Sequence, residues 1–106
     1  MAITEIDVDE LAEQLDGGAR LIDVRQPDEY IAGHIPGATL VPLAEVPERL
    51  EAFSTTETNF IVCRSGVRSM RAAEFLAARG FDVVNVAGGT LAWQDSGRPT
   101  DVESAP

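Results

Sequence analysis

Short apolar runs alternate with helix signals along this chain, only a few residues apart, and that order admits few folds. Ile3 to Ile6 reads as a strand. Asp7 or Asp9 then caps a helix with Leu11 and Leu15 one turn apart on one face, and Gly17-Gly18 stops it. Arg20 to Val24 (RLIDV) is a second strand, mostly apolar and so expected to be buried on both faces. Pro27-Asp28-Glu29 opens a brief helix, with proline at its first position and acids in its first turn, before Gly33. Gly33 to Ala38 is a loop, Thr39 to Val41 a small strand, and Leu43 to Phe53 an amphipathic helix with Val46, Leu50 and Phe53 on its apolar side. Asn59 to Cys63 is the best strand and Val67 to Arg79 the best helix, closed by Gly80. Asp82 to Val86 is a last strand, and Gly88-Gly89 leads into a short helix through Leu91 and Trp93.

Strands that alternate with helices through short loops predict an α/β fold, a parallel sheet with helices on both faces. A chain of 106 residues, 44% apolar, suits one such domain with a real core. We set it at residues 1–98. The segment from Ser96 is polar with two prolines, and residues 99–106 read as a flexible tail. In open parallel sheets, ligands bind beyond the carboxyl ends of the strands. Cys63 stands at that end of the best strand.

The formal charge is −10, with no lysine, which opposes binding to nucleic acid or to an anionic membrane. No apolar run is long enough to cross a bilayer, and the acidic N-terminus (MAITEIDVDE) does not read as a signal peptide. With a single cysteine no internal disulfide is possible, and a cytoplasmic location is expected. The charge is uneven, however. From Thr58 to Ala73 there is no acidic residue, yet three of the eight arginines, Arg64, Arg68 and Arg71, fall there beside the thiol.

The chain leaves a strand at Cys63, turns through Arg64, Ser65 and Gly66, and enters a helix near Val67. Backbone N–H groups at such a turn form a nest for an anion, and the helix N-terminus adds unpaired donors and a positive dipole end. Gly66 permits the backbone conformation that a tight loop requires. A free cysteine has a pKa of ~8.5, and these surroundings should lower it. Free cysteines are usually small buried hydrophobes. Here the glycine, the flanking arginines and the strand-to-helix position point instead to a thiolate nucleophile in an anion site.

Cys63-Arg64-Ser65-Gly66-Val67-Arg68 resembles the six-residue active loop of rhodanese-like sulfurtransferases. LIDVRQPDEYIAGHIPGA, from Leu21 to Ala38, resembles that family's Asp-Val-Arg … Glu-Tyr … Gly-His-Ile-x-Gly-Ala signature, and NVAGGTLAW, from Asn85 to Trp93, its closing glycine-rich turn. The resemblance covers roughly residues 3 to 98 and implies a three-layer fold with a five-stranded parallel sheet. It implies that Cys63 accepts a sulfane sulfur from an anionic donor, thiosulfate above all, and passes it to cyanide, a thiol or a partner protein. By the same carry-over the loop from Arg64 through Ser65, Gly66, Val67 and Arg68 to Ser69 binds the substrate, with Arg64 and Arg68 orienting the donor. No metal and no organic cofactor are implied.

Asp23 and Arg25 follow the second strand and are expected to support the site, through an Arg25–Glu29 or Arg25–Asp23 contact that steadies the loop. The single histidine, His34, and Trp93 are expected to be structural. Three other functions share features with this loop. Cysteine-dependent phosphatases and arsenate reductases place five residues between cysteine and arginine. Here four separate Cys63 from Arg68, and position 69 is serine. A disulfide oxidoreductase working alone would need a second cysteine to resolve the first. A binding module of this fold would not need Cys63. A sulfur carrier docked to one partner, with little turnover of free donors, stays open.

Overall fold

The alternation resolves into five strands and four α-helices among residues 2–103, the part of the chain that the computed structural model describes. Strands β1 (Thr4–Ile6), β2 (Arg20–Asp23), β3 (Thr39–Leu40), β4 (Asn59–Val62) and β5 (Val83–Val86) form one sheet in the order β1-β5-β4-β2-β3. Every neighbouring pair is parallel. The helices are α1 (Val8–Asp16), α2 (Pro27–Ala32), α3 (Val67–Ala77) and α4 (Gly89–Asp95).

Side chains alternate across a strand, so β4 serves both faces at once. Phe60 and Val62 pack with Val8 and Leu11 of α1, Tyr30 of α2 and Trp93 of α4. Ile61 and Cys63 pack on the other face with Ala72, Ala73 and Leu76 of α3. Each strand in the middle of the sheet is buried on both sides, which is why its sequence is a near-continuous apolar run. Leu76 and Ile61 are fully buried, and each contributes about 1.5–3 kcal/mol by leaving water.

The helix starts follow local chemistry. Asp7 caps α1 by accepting the Glu10 N–H at 2.9 Å. Pro27 opens α2, and Glu29 turns back to accept the Gln26 N–H at 3.1 Å.

The helix expected over Leu43 to Phe53 does not form. Two 3-10 turns, Leu43–Glu48 and Leu50–Ala52, replace it. Pro47 lies inside the first; it has no N–H to give and its ring would clash with a helical carbonyl four residues back. The apolar side survives the change, since Val46 and Phe53 are both buried against the α3 face of the sheet.

The segment from Ser96, whose residues 99–106 read from sequence as a flexible tail, is hydrogen-bonded to the domain as far as Glu103. The indole N–H of Trp93 donates to the Pro99 carbonyl at 2.8 Å. Asp101 and His34 exchange backbone bonds at 2.9 Å, and the Glu103 N–H donates to Ile31. Residues 104–106 lie outside the described part. Among the described residues no helix is long and apolar enough to cross a membrane.

Candidate active site

All five strands run the same way, so the connections after β2, β4 and β5 emerge at one edge of the sheet. The connection after β4 carries Cys63, that after β2 carries Arg25, and that after β5 carries Gly88 and Gly89. The site is built where they meet.

Cys63 closes β4, and its side chain is buried. Gly66 is the N-cap of α3 and sits at φ +108°, a left-handed conformation that a side chain would strain. That turn brings the Gly66 N–H to 3.1 Å from the Cys63 Sγ. The Ser69 hydroxyl, one turn into α3, donates to the same sulfur at 3.3 Å. Burial pushes the thiol pKa up. The Ser69 hydroxyl and the amides of Ser69, Gly66 and Ser65 more than offset it, so the net shift is downward from the usual thiol value. Val67 and Arg68 occupy the first turn of α3, where no helical carbonyl reaches their N–H groups. The loop thus holds the Cys63 sulfur between the Gly66 amide and the Ser69 hydroxyl, surroundings that favour its thiolate form.

Its outer side is held by α4. The Thr90 N–H and hydroxyl both donate to the Cys63 carbonyl, at 2.9 and 3.1 Å, and the Leu91 N–H donates to the Arg64 carbonyl at 3.0 Å. Gly89 makes this approach possible: a Cβ there would overlap the Cys63 and Arg64 carbonyl oxygens. With its carbonyls turned outward to α4, the loop is free to turn its N–H groups inward.

The supporting residues separate into two ion pairs. Arg25 and Asp23 form the expected contact, with Arg25 Nη2 on Asp23 Oδ2 at 2.8 Å and Nε on both carboxylate oxygens at 3.0 Å. Asp23 Oδ1 also accepts the Arg25 N–H, and Arg25 Nη2 donates to the Gly33 carbonyl, so the pair ties the end of β2 to the end of α2. Glu29 is not in this pair. It meets Arg68 instead, Nη1 to Oε1 at 2.7 Å and Nη2 to Oε2 at 2.9 Å. The Arg68 guanidinium holds the Glu29 carboxyl down at about 2, against the opposing effect of burial. Arg68, expected from sequence to meet the donor, is therefore committed within the protein. Arg64 is exposed and has no ion pair among the described residues.

Beside the loop lies an open cleft of about 210 Å³, lined among others by Arg25, Glu29, Gly33, Arg64, Thr90 and Gln94. Cys63 does not line it. Sequence reasoning missed Thr90 and Gln94, because nothing local to α4 marks it as the neighbour of the cysteine loop. His34 takes the structural place expected of it. It is buried, stacked on Tyr30 at 3.8 Å, with Nδ1 2.9 Å from the Tyr30 carbonyl. Trp93 is core.

A family model for the rhodanese-like domain matches residues 7–96. The Bacillus subtilis (strain 168) protein YtwF is 37% identical over 101 residues, covering 93% of this chain and 98% of that protein. The thiosulfate sulfurtransferase GlpE of Pseudoalteromonas translucida is 35% identical over 96 residues, covering 89% of this chain and 91% of its own. A rhodanese-like domain protein from Staphylococcus aureus, solved by crystallography, superposes with a TM-score of 0.87 at 39% identity, over 96% of this chain and all of that one. With that match over most of its length and relatives of this similarity, the chain belongs to the rhodanese-like family, whose chemistry is sulfur transfer.

Proposed function

We propose that this chain takes a sulfane sulfur from an anionic donor, thiosulfate foremost, onto Cys63 and hands it to a thiol, cyanide or a partner protein's cysteine. The observation that carries this reading is the Cys63 Sγ held by the Gly66 N–H and the Ser69 hydroxyl at the mouth of α3. The Cys63 thiolate attacks the outer sulfur of thiosulfate. The new S–S bond forms as the bond to the sulfonate sulfur breaks, and sulfite leaves with the electron pair. The added sulfur stands about 2 Å beyond Sγ, within the ring of amides from Ser65 to Ser69. It carries the negative charge there, and hydrogen bonds to a charged acceptor are the stronger kind. No general base is needed, in keeping with the structural place of His34.

Arg64 is the cation free to orient the incoming dianion, while Arg68 shapes the loop through Glu29. That commitment also argues against phosphatase or arsenate reductase chemistry, which would need the arginine on the oxyanion. The relative named a thiosulfate sulfurtransferase supports the choice of donor. A lone, unpaired cysteine that must stay reduced between cycles suits the cytoplasm.

The test is intact mass after incubation with thiosulfate, beside untreated and Cys63→Ser protein. A gain of one sulfur atom, lost on adding cyanide as thiocyanate appears, is expected. A folded protein with a free thiol and no adduct from thiosulfate or another sulfane donor would overturn the reading.

A further inference from the structure

We propose that Asn85, with Glu5 behind it, is a positioning residue for the cysteine loop: its amide holds the Gly66 carbonyl so that the Gly66 N–H stays on the Cys63 sulfur. This rests on the persulfide reading of Cys63 and names the residues of β1 and β5 that set up its thiol.

Asn85 is out of place as a packing residue. It is 0% exposed, in a strand whose other members are valines. It pairs in register with Ile61 of β4, so it faces the α3 side of the sheet as Ile61 does. Among the described residues its Oδ1 is the one enclosed side-chain oxygen or nitrogen without a partner. Burying such an atom costs stability, and a valine there would not carry that cost. The amide nitrogen, by contrast, is fully used. Nδ2 donates to Glu5 Oε2 at 2.8 Å and to the Gly66 carbonyl at 3.2 Å. A primary amide has two N–H bonds, so each has its acceptor.

Gly66 is where such a hold matters. Glycine has the widest backbone freedom of any residue, and Gly66 uses it at φ +108°. Its N–H reaches the Cys63 Sγ at 3.1 Å, and its carbonyl, on the other side of the same α-carbon, is the group that Asn85 holds. The end of β5 stands against that α-carbon: a Cβ on Gly66 would lie 3.6 Å from both the Gly88 nitrogen and the Val86 carbonyl oxygen. The peptide after Gly66 is trans, so the Val67 N–H points opposite to the held carbonyl. The Met70 N–H also donates to that carbonyl, at 3.2 Å. The carbonyl therefore faces into α3, and the Val67 N–H faces out of its N-terminal end.

Glu5 sets the direction of the amide. It is exposed on β1 and lies directly across from Asn85 in the parallel ladder. Its carboxylate takes one N–H in a charge-assisted bond, the stronger kind, which leaves the other N–H aimed at Gly66. A tie between strands alone would not require it, since β1 and β5 already pair over three residues.

Asn85→Val leaves no new orphan. The Gly66 carbonyl keeps the Met70 N–H, and Glu5 is open to water. The fold and the thiol can therefore be scored apart.

The experiment follows alkylation of Cys63 by iodoacetamide against pH, and sulfur loading from thiosulfate by mass, in the unmodified protein, Asn85→Val, Glu5→Ala and Glu5→Gln. In Asn85→Val the alkylation midpoint is expected to rise, with alkylation at pH 7 and sulfur loading each slowed by about three- to tenfold, while the urea unfolding midpoint holds. Glu5→Ala, an exposed change that spares the fold, is expected to move the alkylation midpoint the same way by less. Glu5→Gln keeps an acceptor and is expected to restore it; a profile like that of Glu5→Ala would overturn the part given to Glu5. Should Asn85→Val fail to fold, the two Glu5 variants decide. An unmoved alkylation midpoint would overturn the positioning role, and lost stability beside that unchanged profile would mark Asn85 as a packing residue. The alkylation profile needs no sulfur donor, so it judges the hold on the thiol by itself. An unmodified protein that gains no sulfur from any sulfane donor would instead overturn the persulfide cycle.

Discussion

Glu29 and Arg68 stand 39 residues apart in the chain and meet fork to fork, with both guanidinium Nη atoms on the two carboxylate oxygens. One is on α2 and the other in the first turn of α3, so the clamp ties α2 to the helix that follows the cysteine loop. Under the proposed function, it also neutralises a charge that an anionic donor would otherwise meet. Replacing Glu29 with Gln removes that neutralisation, and the expected result is a severalfold lower KM for thiosulfate with a steeper dependence on ionic strength. Steady-state kinetics at two salt concentrations check this. A higher KM would mean that the clamp's role is to hold the loop's shape.

The same pair has a pH signature. Glu29 titrates at about 2 in the folded protein against a reference value of 4.5, so the unfolded chain binds the proton more readily. The pair's contribution to stability is therefore fully present above about pH 4.5 and is lost as pH falls toward 2. Both side chains are partly exposed, which limits the contribution to about 1 kcal/mol. Urea unfolding of the Glu29→Gln variant and the unmodified protein should differ at pH 7 and converge near pH 2.

Ser69 bears on reactivity more than on the fold. Its hydroxyl is the leading influence that favours the Cys63 thiolate against burial. Ser69→Ala should raise the thiol pKa and slow alkylation by iodoacetamide at pH 7 by up to about tenfold, with the rates converging at high pH. Parallel profiles without convergence would show that access, rather than ionisation, had changed.

Asp23 is wholly buried beneath Arg25. Asp23→Ala leaves that cation without its counter-charge, and the expected cost is about 3–5 kcal/mol in unfolding free energy. A loss below about 1 kcal/mol, by chemical denaturation at neutral pH, would show that the Gly33 carbonyl alone satisfies Arg25.

Gly89 tests the close packing of two connections. A methyl group there overlaps the carbonyl oxygens of Cys63 and Arg64. Gly89→Ala should displace the loop and depress sulfur transfer at least tenfold, since a misplacement of about 1 Å can cost a hundredfold in rate. Activity within twofold of the unmodified protein would show that the loop tolerates displacement.

What could be read in advance follows from locality. The cysteine loop is one contiguous segment, so Cys63, Gly66 and the start of α3 were legible from residue order and turn chemistry. The Asp23–Arg25 pair was legible for the same reason, two residues apart at a strand end. Glu29 was offered to Arg25, its neighbour in sequence, and its actual partner is brought to it only by the crossover between β2 and β4. Thr90 and Gln94 reach the site because β5 lies beside β4, a fact of topology that no short motif carries. The spacing of Val46, Leu50 and Phe53 suits one apolar side whether the backbone is α or 3-10, and Pro47 was the residue that decided between them.

The hold of Thr90 and Leu91 on the Cys63 and Arg64 carbonyls has a consequence for whatever docks here. A loop fixed from behind and ringed with donors in front does not need to change shape when its sulfur arrives or departs. Under the proposed function, loaded and empty forms then present the same backbone to an incoming molecule, differing by a single sulfur atom and by how far out the negative charge stands. On the same proposal, a recipient that tells them apart must do so by reaching that atom, so recognition and reaction become one event.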